Sequence, residues 1–121
     1  MLIAEDHADL RVTLKMLLET RGHIVELAVN GEDAVNKAVQ RPPDVIVMDL
    51  QMPVMDGITA TRLLRARPET ARVPIIALTA YSRDADWQTR ALEAGCIDCL
   101  SKPLEWARFE DVLRKIKKPG P

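Results

Sequence analysis

The chain has 121 residues with 17 Lys and Arg against 18 Asp and Glu, a formal net charge of −1. That length holds one domain of ordinary size, and the near-balance of charge argues against direct nucleic-acid contact, which shows a basic excess or stripe. Hydrophobic residues make up 47% of the chain and only four residues are aromatic, so the core is aliphatic and real, and disorder is excluded.

The N-terminal stretch Met1-Leu2-Ile3-Ala4-Glu5-Asp6 opens on a short aliphatic run at Leu2–Ala4. It has neither the basic start nor the apolar length of a secretory signal, and no run is long enough to span a membrane. With two cysteines only, a reducing, cytoplasmic setting is expected, without membrane insertion. Leu10, Leu14, Leu17 and Leu18 then repeat at helical spacing up to Gly22. Ile24–Ala28 reads as a second strand. Asn30-Gly31 opens a helix carrying Ala34, Val35, Ala38 and Val39, which Pro42-Pro43 ends.

Val45–Met48 is apolar on both faces, as in a parallel strand covered on both sides. Asp56 is placed to cap a third helix marked by Ile58, Arg62 and Leu63, stopped before Pro68. Ile75–Leu78 is a second doubly buried run. Trp87, Ala91 and Leu92 mark a fourth helix ending at Gly95, and Ile97–Leu100 is a weak fifth strand. Phe109, Val112, Leu113 and Ile116 mark the last helix. The order is (βα)5, an α/β fold, which right-handed crossovers wind into an open parallel sheet with helices on both faces.

In such sheets the working rim lies beyond the carboxyl ends of the strands. Glu5 and Asp6 follow the first strand; Asp49, then Leu50-Gln51-Met52-Pro53, the third. Thr79 and Ala80 follow the fourth, and Ser101, Lys102 and Pro103 the fifth. Three carboxylates crowded together need a cation. Oxygen donors alone suit Mg²⁺, Mn²⁺ or Ca²⁺. A Lys, a Thr hydroxyl and backbone N–H groups complete a cradle for a phosphoryl group. There is no Gly-rich Walker loop for a nucleotide, so phosphoryl transfer onto a carboxylate of the protein itself is the expected chemistry. His7 and His23 are read as surface residues, His7 at the rim of the acidic pair and not as a ligand. Cys96-Ile97-Asp98-Cys99 fits C-x-x-C, but the cysteines are read as small half-buried hydrophobes on different faces or levels. Trp87 and Trp106 are expected on the surface made by the fourth helix, fifth strand and fifth helix.

The full set of motifs resembles the receiver domain of two-component response regulators, the CheY-like group of flavodoxin-like folds. It comprises Glu5-Asp6, Asn30-Gly31-Glu32-Asp33-Ala34, Val45 to Gly57 around Asp49, Pro74 to Ala80, Ala94-Gly95 and Lys102-Pro103. The resemblance implies strand order 2-1-3-4-5, with the receiver domain over 1–118 and a tail or linker start at 119–121. It implies Asp49 as phosphoacceptor, taking a phosphoryl group from a histidine kinase or a histidine phosphotransfer protein. Mg²⁺ (or Mn²⁺) would be held by Asp6, Asp49 and the backbone carbonyl of Gln51, with Glu5 acting through water. Lys102, Thr79 and the N–H groups of Ala80 and Gln51 would contact the phosphate, and Lys102-Pro103 would be cis.

Gln51 and Tyr81 would border the path of the hydrolytic water. Cys99 stands where many members carry Tyr or Phe; Thr79 remains as the switching side chain, with Tyr81 as another route. A homodimer through the fourth helix, fifth strand and fifth helix is a further implication. Such a chain is not an enzyme beyond its own phosphorylation and dephosphorylation. Two alternatives differ in class. A Mg²⁺-dependent phosphatase of the haloacid dehalogenase type would want Asp-x-Asp, but position 51 is Gln. A non-phosphorylated binding module would lack Asp49, Thr79 or Lys102, and all three are present.

Overall fold

The structure is a computed structural model that describes residues 1–80 and 84–117. Five strands and five helices alternate: β1 Leu2–Ala4, α1 Ala8–Thr20, β2 Glu26–Ala28, α2 Gly31–Gln40, β3 Ile46–Asp49, α3 Gly57–Arg65, β4 Ile75–Thr79, α4 Ala85–Ala94, β5 Asp98–Ser101 and α5 Trp106–Lys117. All pairings are parallel and the sheet order is β2-β1-β3-β4-β5, as the resemblance implied. Tyr81 and the tail at 119–121 lie outside the described residues.

The period of two along each strand divides the core into two layers. Leu2, Ala4, Ile46, Met48, Ile75, Ala77 and Cys99 face one side, where Ala34, Val35 and Ala38 of α2, Ile58, Ala60 and Leu64 of α3, and Ala91 and Ala94 of α4 cover them. Ile3, Val47, Ile76, Leu78 and Leu100 face the other, covered by Leu14 and Leu18 of α1 and by Phe109, Val112 and Leu113 of α5. Each fully buried aliphatic side chain contributes roughly 1.5–3 kcal/mol, so this two-sided burial fixes the register that carries the rim.

Some expected details move. β2 begins at Glu26, where its one-sided pairing with Leu2–Ala4 starts, and Ile24 lies before it, 89% exposed. β5 begins at Asp98, one residue late, with Ile97 exposed. On α3 the buried face runs through Ile58, Thr61 and Leu64, while Leu63 and Arg62 point outward. Thr61 supported that face unseen, since its hydroxyl donates to the Gly57 carbonyl at 2.7 Å and so sheds its polar cost. Asn30 and Asp56 cap α2 and α3 as expected, accepting from Asp33 N and Thr59 N at 2.8 Å each.

Cys96 and Cys99 are both buried in the same core layer, not on different faces. Burial pushes both thiols up, Cys99 to about 11, which suits inert packing rather than redox exchange. The two tryptophans join different layers. Trp87 packs with the α2–α3–α4 side, whereas Trp106 meets Phe109 edge-on at 5.9 Å and lies under the guanidinium of Arg21, just after α1, at 4.3 Å.

Candidate functional site

β1, β3, β4 and β5 end together, and their ends deliver Glu5 and Asp6, Asp49, Thr79 and Lys102 to one rim. Lys102 is the hub. Its Nζ lies 2.8 Å from Glu5 Oε1 and 2.8 Å from Asp49 Oδ2. Both carboxylates are buried, Glu5 wholly and Asp49 to within 1%. Lys102 N donates to the Thr79 carbonyl at 3.0 Å, and the Lys102–Pro103 bond is cis, as expected.

Further hydrogen bonds hold the acids. Arg11 of α1 donates to the carbonyls of Glu5 and Asp6 at 2.8 and 3.1 Å and braces the turn after β1. The backbone N–H of His7 donates to Glu5 Oε2 at 3.2 Å, and that of Gln51 to Asp49 Oδ1 at 3.1 Å. Gly57 lets α3 start against the end of β3. A Cβ there would run into the Asp49 carbonyl and would lie 2.9 Å from the Met48 side chain.

The electrostatics follow from this crowding. Burial alone would raise both carboxyls. For Glu5, hydrogen bonding with Lys102, with Asp49 and with the His7 N–H outweighs burial and pulls the acid down to about 2. For Asp49, burial and the neighbouring Glu5 charge outweigh Lys102 and push it up to about 6. Burial would lower Lys102, but its two carboxylate partners overcome that and raise it, so it stays an ammonium.

The rim fits a hard divalent cation. Glu5, Asp6 and Asp49 place carboxylate oxygens within 4.8 Å of one another, and His7 adds a ring nitrogen within the same limit. Asp6 Oδ1 is shielded from solvent yet receives no hydrogen bond, a buried acceptor that a cation would satisfy.

Of the residues singled out from sequence, Glu5, Asp6, Asp49, Gln51, Thr79 and Lys102 are brought together. Ala80 is exposed just beyond β4. Cys99 is buried in the core at β5, away from the rim in role and setting. Tyr81 lies outside the described residues. Thr79 Oγ1 points to Gln51 Oε1 at 3.3 Å. Arg11 and Gly57 were missed. Arg11 has no motif of its own, while Gly57 was read as part of the Val45–Gly57 motif but without its packing role against β3.

Known proteins share this fold and sequence pattern. Residues 1–114 match the family model of the response regulator receiver domain. The chain is 40% identical over 120 residues to the signal transduction histidine-protein kinase BarA of Escherichia coli K12, covering 99% of this chain and 13% of that protein. It is 36% identical over 119 residues to the phosphate regulon transcriptional regulatory protein PhoB of Rhizobium meliloti, covering 95% and 52%. The receiver domain of the sensor histidine kinase PA1611 from Pseudomonas aeruginosa, solved with magnesium in its active-site cleft, superposes with a TM-score of 0.86 at 38% identity, covering 94% of this chain and 93% of that one. The receiver domain of Saccharomyces cerevisiae Ssk1, solved with the histidine phosphotransfer protein Ypd1, superposes with a TM-score of 0.84 at 33% identity, covering 94% and 85%.

A doubly wound sheet with an acid-lined rim and one inward ammonium is the architecture of a two-component signalling module. The chain belongs to the response regulator receiver domain family. It spans only about an eighth of the length of the BarA kinase that it matches.

Proposed function

We propose that Asp49 is the phosphoacceptor of this receiver domain and that the phosphoryl group comes from a phosphohistidine on a histidine kinase or a histidine phosphotransfer protein. The observation that carries the reading is Lys102 Nζ at 2.8 Å from Asp49 Oδ2, an ammonium aimed at the oxygen that would attack. The complex of the Ssk1 receiver with Ypd1 supports the partner class.

The Asp49 carboxylate attacks phosphorus in line, its O–P bond forming as the N–P bond of the donor breaks and the electron pair returns to the donor imidazole. Lys102 offsets charge building on the phosphoryl oxygens, and the N–H groups of Gln51 and Ala80 and the Thr79 hydroxyl complete the cradle. Asp6, Asp49 and the Gln51 carbonyl would hold Mg²⁺, with Glu5 acting through water; the magnesium in the PA1611 receiver supports the choice of metal. When bound, the ion neutralises the crowded carboxylates and the incoming phosphate.

The product carries more charge than the carboxylate it replaces. Thr79 is drawn toward it, and the segment after β4 moves with it, a switch biased by charge. The domain covers 1–118, with 119–121 beginning a tail or linker. Exposed Leu92 of α4 and Ile97 before β5 suit a homodimer through α4, β5 and α5. Among the described residues no helix is long and apolar enough to cross a membrane; a cytoplasmic setting completes the proposal.

Radiolabelled acetyl phosphate with Mg²⁺ should label the wild type with one alkali-labile phosphate, and Asp49→Asn should take none. Equal labelling of the variant overturns the assignment.

A further inference from the structure

β2 is the open edge of the sheet on the side away from β5. The Glu26 N–H donates to the Met1 carbonyl at 2.9 Å, and the Ala28 carbonyl accepts from the Glu5 N–H at 3.1 Å, so both residues direct these backbone groups at β1. Alternate residues face the other way, and Leu27 and Val29 turn their N–H and C=O groups off the sheet. The segment Ile24-Val25-Glu26-Leu27-Ala28-Val29 has one charge, no proline and a high share of β-branched residues, a composition that recruits further strands. Ile24 and Val29 are both exposed beside it.

Two side chains of α2 reach over that edge. Lys37 Nζ donates to the Leu27 carbonyl at 2.6 Å, and the Val29 N–H donates to Asp33 Oδ2 at 3.0 Å. The two side chains also pair with each other, Nζ to Oδ2 at 3.2 Å, one helical turn apart. One acceptor and one donor of the edge are thus occupied together. Asp33 stands at the third position of α2, where an acid often completes an N-terminal cap. Lys37 lies beyond that turn, and capping does not bring its ammonium to a strand carbonyl. Water would satisfy an exposed carbonyl equally well, and holding a lysine costs rotamer freedom; what the lysine adds is exclusion of another strand. We infer that Asp33 and Lys37 form a guard that keeps β2 from pairing edge to edge with a second copy of this chain. In such a two-fold pair the edges run antiparallel and their outward residues exchange N–H and C=O bonds, so both copies need the groups of Leu27 and Val29 that the guard holds. The inference goes beyond the phosphoacceptor reading and does not depend on the chemistry at Asp49.

Sedimentation velocity and amide hydrogen exchange at low and high protein concentration test it on the wild type, Lys37→Met, Lys37→Arg, Asn30→Ala and the double variant Asp33→Ala with Lys37→Met. Lys37→Met keeps the apolar stem and the Asp33 contact, and removing one charge-assisted bond from the guard should tighten self-association at least about tenfold. The double variant should associate more tightly still, and Lys37→Arg should match the wild type. In both associating variants the Leu27 and Val29 N–H groups should exchange more slowly as concentration rises, which places the contact at β2 and separates it from a dimer through α4, β5 and α5. Asn30→Ala removes the bond that caps α2 but leaves the guard, so it should lower the melting temperature without associating. A Lys37→Met protein that associates no more than the wild type, association without slower exchange at Leu27 and Val29, or an Asn30→Ala protein that associates as strongly as Lys37→Met overturns the inference.

Discussion

Thr79 Oγ1 donates a hydrogen bond to Gln51 Oε1 at 3.3 Å, so the hydroxyl proposed to follow the phosphate is held by the side chain two residues beyond the phosphoacceptor. The proposed movement of Thr79 would break that bond. A neutral hydrogen bond contributes about 0.5–1.5 kcal/mol net, equivalent to roughly two- to tenfold in an equilibrium. Gln51→Met, of similar length and without the acceptor, should raise the equilibrium level of Asp49 phosphorylation at limiting acetyl phosphate by a few-fold. A level equal to wild type means that the Thr79–Gln51 bond does not hold the resting state.

Crowding at the rim makes stability depend on pH when metal is removed. Asp49, raised to about 6, binds its proton more tightly in the folded chain, so its contribution is present below about pH 4 and is lost as pH rises through 6. Glu5, pulled to about 2, contributes in the opposite sense: its stabilisation is present above about 4.5 and is lost only as pH falls toward 2. In EDTA, Asp49→Asn should therefore match the wild type near pH 4 and exceed it above pH 6 by up to roughly 3 kcal/mol, several degrees in melting temperature. A difference that stays constant across that range contradicts the shared charge of Glu5 and Asp49.

The parts of this account that could be read from sequence are those in which one residue type has few alternatives. Val45 to Met48 and Ile75 to Leu78 are apolar on both faces because helices cover both, and that pattern alone puts Asp49 and Thr79 at strand ends. The edge strand was harder. Ile24 is as apolar as Ile46, yet it lies in the connection before β2 and is exposed. Thr61 looked polar and was passed over, since its bond to Gly57 is invisible in a sequence. Strand order came from the family resemblance, because parallel pairings between distant segments leave no local mark.

Lys102 neutralises two buried acids at once, and its loss leaves both without a cation. Removing one partner of a buried ion pair costs about 3–5 kcal/mol. Lys102→Met should lose about that much in urea unfolding in EDTA. Mg²⁺ should restore part of it, about 2.7 kcal/mol at a hundredfold excess over its dissociation constant. A variant as stable as wild type in EDTA contradicts the placement of Lys102 between Glu5 and Asp49.

Gly57 permits close contact rather than an unusual turn. Gly57 N donates to the Leu50 carbonyl at 3.2 Å, and a methyl group would press on the Asp49 backbone and the Met48 side chain. Gly57→Ala should destabilise the domain by about 1–3 kcal/mol and slow phosphorylation of Asp49 by displacing the end of β3. Urea titration and the labelling rate check both; an unchanged labelling rate would separate α3 packing from the site.

The most direct test of the central claim is the intact mass of the protein over time with acetyl phosphate and Mg²⁺, for wild type and Asp49→Asn. A receiver that accepts phosphate at Asp49 should gain the mass of one phosphoryl group, lose it in alkali, and show no gain in the variant. Continuous release of phosphate with no adduct, or an adduct that persists in Asp49→Asn, would contradict the account.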